Sequence, residues 1–239
     1  MTNFVVVIIL FREEIDMEKI TIDYSGYTPF KGARILYSYL EEGLECVKSK
    51  KIKDVCIWQG LENSRHIVNF DFLRDMEFIE TFHWIVKLSK KSNINGLYSL
   101  SNLKDFRWVA DNEFSLDFSK LNTIESMNLK YHDGLLNFKE LINLRELYIG
   151  SVKSNNLEFL PSFDNLELLR IINGKFISLE GLERCKNLKK LDLRRCFDLV
   201  YANSTLLKLK HLESVALDSK KHDINVEELK NRIPHVWLG

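Results

Sequence analysis

Proline and glycine are scarce in this chain, with 3 and 10 among 239 residues. So few breakers of regular structure exclude a disordered or loop-dominated protein. Cysteine is sparse too. Cys46, Cys56, Cys185 and Cys196 form no CxxC pair and have no close histidine spacing. Neither a zinc site nor a disulfide framework is indicated, and reduced, mostly buried thiols are expected. There is no excess of one charge: 34 Lys and Arg face 34 Asp and Glu. That removes the electrostatic argument for binding nucleic acid or a membrane surface. The apolar run Phe4–Phe11 is far shorter than the roughly 20 residues that span a bilayer. It also lacks the basic start and small-residue cleavage site of a secretory signal. Residues 1–16 therefore read as an extension or extra strand, with Met17 a second plausible start, and the expected location is cytoplasmic.

Catalytic signatures are missing as well. The six histidines, His66, His83, His132, His211, His222 and His235, form no HExxH or H-x-H pair. No GxSxG, GxxxxGK[ST] or GxGxxG occurs, so nucleophile-elbow and phosphate-cradle chemistry has no support. The carboxylate pairs Glu41-Glu42 and Glu227-Glu228 fall on helical faces, where such runs are solvated. The short basic clusters Lys48–Lys51 and Lys87–Lys91 are offset by acids elsewhere. The expectation is no enzyme, no cofactor, no metal, no small-molecule substrate, no nucleic acid and no membrane.

Leucine is what the chain has in abundance: 36 residues, 27 of them after residue 100. They sit in a recurring apolar-x-x-apolar-x-apolar motif. Clear copies are Leu144-Arg-Glu-Leu147-Tyr-Ile149, Leu166-Glu-Leu-Leu169-Arg-Ile171 and Leu188-Lys-Lys-Leu191-Asp-Leu193. Others are Ile124-Glu-Ser-Met127-Asn-Leu129 and Leu212-Glu-Ser-Val215-Ala-Leu217. Looser copies begin at Ile52, Ile79 and Leu103, and a last one at Ile233. The nine starts are 20 to 27 residues apart. Before most copies runs an apolar series at three-residue spacing, such as Leu135, Phe138 and Leu141. That spacing suits a short helix or 3₁₀ turn returning to the next strand.

On these residues the chain resembles the leucine-rich repeat family, whose period is 20–29 residues. The resemblance covers about residues 50–239. It implies an α/β solenoid, or horseshoe, with a parallel β-sheet on its concave face. The division expected is residues 1–16 as an extension, 17–50 as an N-terminal α/β cap and 51–239 as about nine repeats. Two departures stand out. The family's Asn/Cys ladder is mostly missing, with His132, Val152, Gly174 and Lys220 at its positions and Cys196 alone matching. Aromatic and β-branched residues replace leucine in the first copies. In the cap, Ile20–Ile22 reads as a strand, Tyr24–Pro29 as a turn and residues 33–48 as an amphipathic helix weakened by Gly43. Val226–Arg232 reads as a closing helix, and Pro234 suits an edge strand.

Strand alternation then selects the exposed residues. One concave column reads Cys56, His83, Arg107, Asn128, Tyr148, Arg170, Asp192, Ala216 and Trp237. The column two residues on includes Trp58, Ile85, Val109, Lys130, Ile172 and Arg194. Tyr, Trp and Arg are the types that concentrate binding energy at interfaces. The expected partner-binding strip is Trp58, His83, Ile85, Arg107, Asn128, Tyr148, Arg170, Asp192 and Arg194. The function expected is a noncatalytic module that binds a protein. Alternatives are an antidote that caps a bacterial toxin, or the substrate-recognition subunit of an enzyme complex.

Overall fold

A computed structural model describes residues 19–25 and 30–239. The extension read over residues 1–16 lies outside them, as do residues 26–29 of the expected turn. Eleven strands form one sheet. Its edge strand β1 (Ile20–Asp23) is antiparallel to β2 (Gly32–Leu36). From β2 onward every pairing is parallel. The order runs through β3 (Asp54–Trp58), β4 (Thr81–Ile85), β5 (Asp105–Trp108), β7 (Ser126–Lys130) and β9 (Glu146–Gly150). It continues through β10 (Leu168–Ile172), β11 (Lys190–Arg194), β12 (Ser214–Leu217) and β13 (His235–Leu238). The small strands β6 (Leu116–Asp117) and β8 (Leu135–Leu136) pair separately. The nine motif copies are the nine strands from β3 to β13 in the large sheet, in matched register.

Each of the first eight copies buries all three of its apolar positions, and the last, at the sheet edge, buries Ile233 and leaves Val236 and Leu238 partly exposed. Leu166, Leu169 and Ile171 have no exposed surface, nor do Ile79, Phe82 and Trp84. The early aromatic replacements thus fill the same core positions as the later leucines. Trp84 packs on Phe70 with ring centroids 4.5 Å apart, and its indole N–H donates to Val86 O at 2.9 Å. The chain returns between strands through 3₁₀ turns such as Phe70–Leu73, Asn95–Ser99 and Leu182–Arg184. Short helices α2 (Asn203–Lys208) and α3 (Val226–Arg232) do so near the C-terminal end. A unit of this kind buries its leucines only against neighbours, so stability accumulates along the stack.

The expected helix over 33–48 is corrected. Residues 32–36 are strand β2, and the helix α1 spans Leu40–Lys50 after a 3₁₀ turn. Ala33, Ile35 and Leu36 are buried in a strand that adds a tenth parallel member to the sheet. A short apolar run fits either period, and here pairing with β3 decided. Gly43 gains a reason: a Cβ there would lie 2.6 Å from the Ile35 side chain. The glycine lets α1 lie close on β2.

Two ladders hold the turns in register. The backbone carbonyls are served from the residue before each motif rather than from the loop after it. Asn102, Asn143, Asn165 and Asn187 each donate Nδ2 to a carbonyl one repeat back, at Glu77, Asn122, Ile142 and Asp164, over 2.7 to 3.1 Å. Thr123 Oγ1 does the same to Leu103 O at 2.8 Å. The second ladder is ionic. In the large sheet, the residue preceding each strand from β3 to β12 alternates in sign: Lys53, Glu80, Lys104, Glu125, Arg145, Glu167, Lys189, Glu213. Glu80 lies 2.6 Å from Lys53 and 2.8 Å from Lys104, and Glu167 lies 2.6 Å from Arg145 and 3.0 Å from Lys189. Single exposed pairs contribute little. A slip by one repeat would set like charges side by side, so the alternation specifies register.

Candidate functional site

Alternation leaves three columns on the open, concave face of the sheet. In the first, Asp54, Asp105 and Glu146 are carboxylates. The second joins Arg34 to the column expected from sequence, since β2 pairs Arg34 with Cys56. The third is largely apolar. Ile85 precedes Val109 and Ile172, which are 42% and 39% exposed, and Gly150 leaves a gap beside Ile172.

The N-terminal end of this face is covered by Arg34 of β2 and by Phe30 just before it. Arg34 lies 3.9 Å above the Trp58 ring, and Phe30 packs 5.0 Å from His83. His83 Nε2 lies 3.3 Å from Asp105 Oδ2, within ion-pair distance though poorly aligned for a hydrogen bond. Cys56 is buried at 4% exposure, and desolvation pushes its thiol up to about 11 despite the nearby Arg34 and Arg107. Arg107 is half-buried and its Nε has no hydrogen-bond partner. Trp58 and His83 thus engage their own chain, whereas Ile85, Asn128, Tyr148 and Arg170 line open space.

That open space is a groove of about 530 Å³. Its floor is Ile85, Val109, Lys130, Gly150 and Ile172, apolar apart from Lys130, and is flanked by Tyr148 and Arg170. Its far wall comes from the loops after the strands: Gln59, Asp111, Asn112, Glu113 and His132. Gln59 Oε1 accepts from the Lys87 amide at 2.7 Å, and the Asn112 amide side chain donates to Leu88 O. Burial holds His132 below the ordinary histidine range, and Tyr148 is raised by desolvation and by Glu146, whose carboxylate accepts its hydroxyl at 3.1 Å. Repeat reading missed this wall because it lies outside the motif. The third column itself pointed to the floor.

Asp192 organises the C-terminal end. Its carboxylate accepts from Arg170 Nε at 2.8 Å and lies 2.5 Å from Arg194 Nε. The Arg170 guanidinium sits 5.5 Å from the Tyr148 ring, and that of Arg194 sits 4.7 Å from Trp237. Asp192 is 16% exposed, the two arginines 43% and 42%. Six of the expected residues thereby lie in one continuous surface: Ile85, Asn128, Tyr148, Arg170, Asp192 and Arg194.

One cluster has the residue types of hydrolysis. Ser64 Oγ lies 3.1 Å from His66 Nε2, and Glu62 lies 3.5 Å from that same nitrogen. A nucleophile-activating triad needs the acid on the opposite ring nitrogen, where it orients the base. This arrangement does not provide that. Cys185 and Cys196 are buried, with thiols pushed up by desolvation to about 11 and about 12. Such thiols are inert. Among the described residues no group of three or more His, Cys, Asp or Glu could hold a metal ion. Among them, too, no helix is long and apolar enough to cross a membrane.

No family model and no curated protein matches the sequence. Solved structures do match. An internalin, InlF, from Listeria monocytogenes superposes with a TM-score of 0.51 at 14% identity. The match covers 77% of this chain and 59% of the internalin chain, so this protein spans little more than half of that neighbour's length. The likeness establishes the fold as a leucine-rich repeat solenoid.

Proposed function

We propose that this chain is a noncatalytic interaction module that takes a protein partner on its concave sheet. The observation that carries the reading is the open groove of about 530 Å³. Its floor leaves Val109 and Ile172 exposed on the sheet itself, and it runs directly into the Tyr148–Arg170–Asp192–Arg194 cluster. An apolar strip edged by aromatic and arginine side chains is the composition of interface hot spots. Rigid strands hold the strip in place, so little ordering is left to oppose binding.

The test is affinity capture from cells of the source organism, with the chain and its variants as bait. Tyr148→Ala and Ile172→Glu are expected to lose the partner. Ile142→Glu, at a 64% exposed turn position outside the sheet, is expected to retain it. Capture that ignores both face substitutions would refute the concave-face reading.

A further inference from the structure

The partner's chemistry can be taken further, on the premise that the concave face is the binding surface. We infer that the partner presents an acidic segment. One of its carboxylates sits between Arg170 and Arg194, and an apolar side chain about three residues away sits in the gap over Gly150.

Arg170 donates Nε to one Asp192 oxygen at 2.8 Å, and Arg194 Nε lies 2.5 Å from the other as an ion pair without hydrogen-bond alignment. Asp192 therefore braces two guanidinium groups at once, while Tyr148 and Trp237 lie against their faces. Among the described residues, no Nη group of either arginine donates a hydrogen bond to a carboxylate. Two cations share one anion, which leaves the cluster net positive, and both guanidiniums stay more than two-fifths exposed. A braced guanidinium fork with free outer edges suits a carboxylate.

Nearby anions do not already fill that role. Asp218 gives its carboxylate to the backbone N–H groups of Arg195 and Cys196. Glu146 accepts the Tyr148 hydroxyl. Exposed Lys190 and Lys130 add positive charge on either side. The excess positive charge is thus local to the Arg170–Asp192–Arg194 cluster, on a face whose other charges from β9 to β13 balance. A nucleic-acid backbone is a poorer fit. Asp54, Asp105 and Glu146 run along the adjacent column, and Asp111 and Glu113 edge the groove. A continuous track of phosphates would meet these carboxylates, whereas one acidic side chain need not.

Spacing follows from the register. Gly150, Ile172 and Arg194 are successive neighbours on β9, β10 and β11. Two strand intervals are about 10 Å. An extended segment running across the strands covers that in about three residues. Nothing but the Ile172 carbonyl, at 3.8 Å, approaches a Cβ built on Gly150, so the gap beside it is open to a side chain.

The experiment is selection of a displayed library of random 12-residue peptides on the full chain, followed by fluorescence polarisation with the free peptides. Selected peptides are expected to carry Asp or Glu about three residues from Leu, Ile or Phe. Binding should weaken at least tenfold with Arg170→Glu/Arg194→Glu and with the milder Arg170→Gln/Arg194→Gln pair. Changing the peptide acid to Lys should restore binding to the Glu pair, a rescue that a misfolded variant could not give. Peptides lost on Gly150→Phe but indifferent to both arginine pairs would overturn this inference and leave the concave-face reading standing. Peptides indifferent to every face substitution, or no binder at all, would overturn both. Competition by a 12-nucleotide single-stranded DNA at equal concentration would overturn the acidic-segment assignment in favour of phosphate.

Discussion

Substituting Gly96 by alanine tests how the aromatic end of the solenoid is packed. Gly96 lies in the 3₁₀ turn Asn95–Ser99, which stacks on the turn Phe70–Leu73 of the preceding repeat. A Cβ at Gly96 would lie 1.9 Å from Phe70 O, 2.3 Å from Phe70 C and 2.8 Å from Asp71 N. All three are backbone atoms, so no rotamer change relieves the overlap. The turns must separate by about 1 Å before the contact becomes tolerable. Phe70, Leu73, Leu97 and Leu100 are fully buried across that junction. A gap of that size forfeits about a quarter to a half of each dispersion contact it opens. Overpacking costs about 1–3 kcal/mol, and a rigid backbone obstacle places this case near 3. For a chain of this size that is roughly 6–12 °C in Tm. Urea unfolding followed by circular dichroism gives the loss directly. Hydrogen exchange should show protection lost first near residues 66–100, because repeats interact mainly with neighbours. Gly150→Ala is the control. Its nearest neighbour is 3.8 Å away, so the change should stay within about 0.5 kcal/mol. A Gly96→Ala protein as stable as the control would refute the packing argument.

Other outcomes follow from the same physics. Leu169→Ala, in mid-stack and without exposed surface, should cost about 2–5 kcal/mol in urea unfolding. In the native protein only half-buried Cys46 should react readily with a thiol reagent at pH 8, since burial holds Cys56, Cys185 and Cys196 protonated at that pH. All four should react after denaturation. Bonds from Lys104 and Lys53 lower Glu80 to about 2, so its contribution is complete above about pH 4.5 and is lost as pH falls through about 2. Glu80→Gln should therefore be less stable than the parent at pH 7 and converge with it near pH 2. Asn165→Ala breaks the 2.8 Å bond to Ile142 O and should cost about 1 kcal/mol.

The repeat was legible because its signal is redundant. One copy such as Leu166-Glu-Leu-Leu169-Arg-Ile171 would be ambiguous, but nine in order allow only a stack. The open columns followed, since a strand's side chains alternate. Ala33–Leu36 was misread because a five-residue apolar strand carries too little periodicity to separate from a helix turn. The family's ladder positions lie after the strands, where His132 and Val152 stand, whereas the asparagines here precede the motif, in Asn102-Leu103, Asn143-Leu144, Asn165-Leu166 and Asn187-Leu188. Their partners are carbonyls one repeat away, and only spatial neighbours reveal those.

By itself, then, the sequence determined the solenoid, the strand register and the composition of the open face. These depend on local periodicity repeated many times. The tertiary structure decided which parts of that face stay open. Arg34 and Phe30 come from outside the repeats to cover Trp58 and His83. Loops of irregular length wall the groove above Ile85, Val109 and Ile172. Asp192 turns two separate arginines into one braced cluster. Each of these depends on distances between residues far apart in the chain, which a period of 20 to 27 residues does not encode.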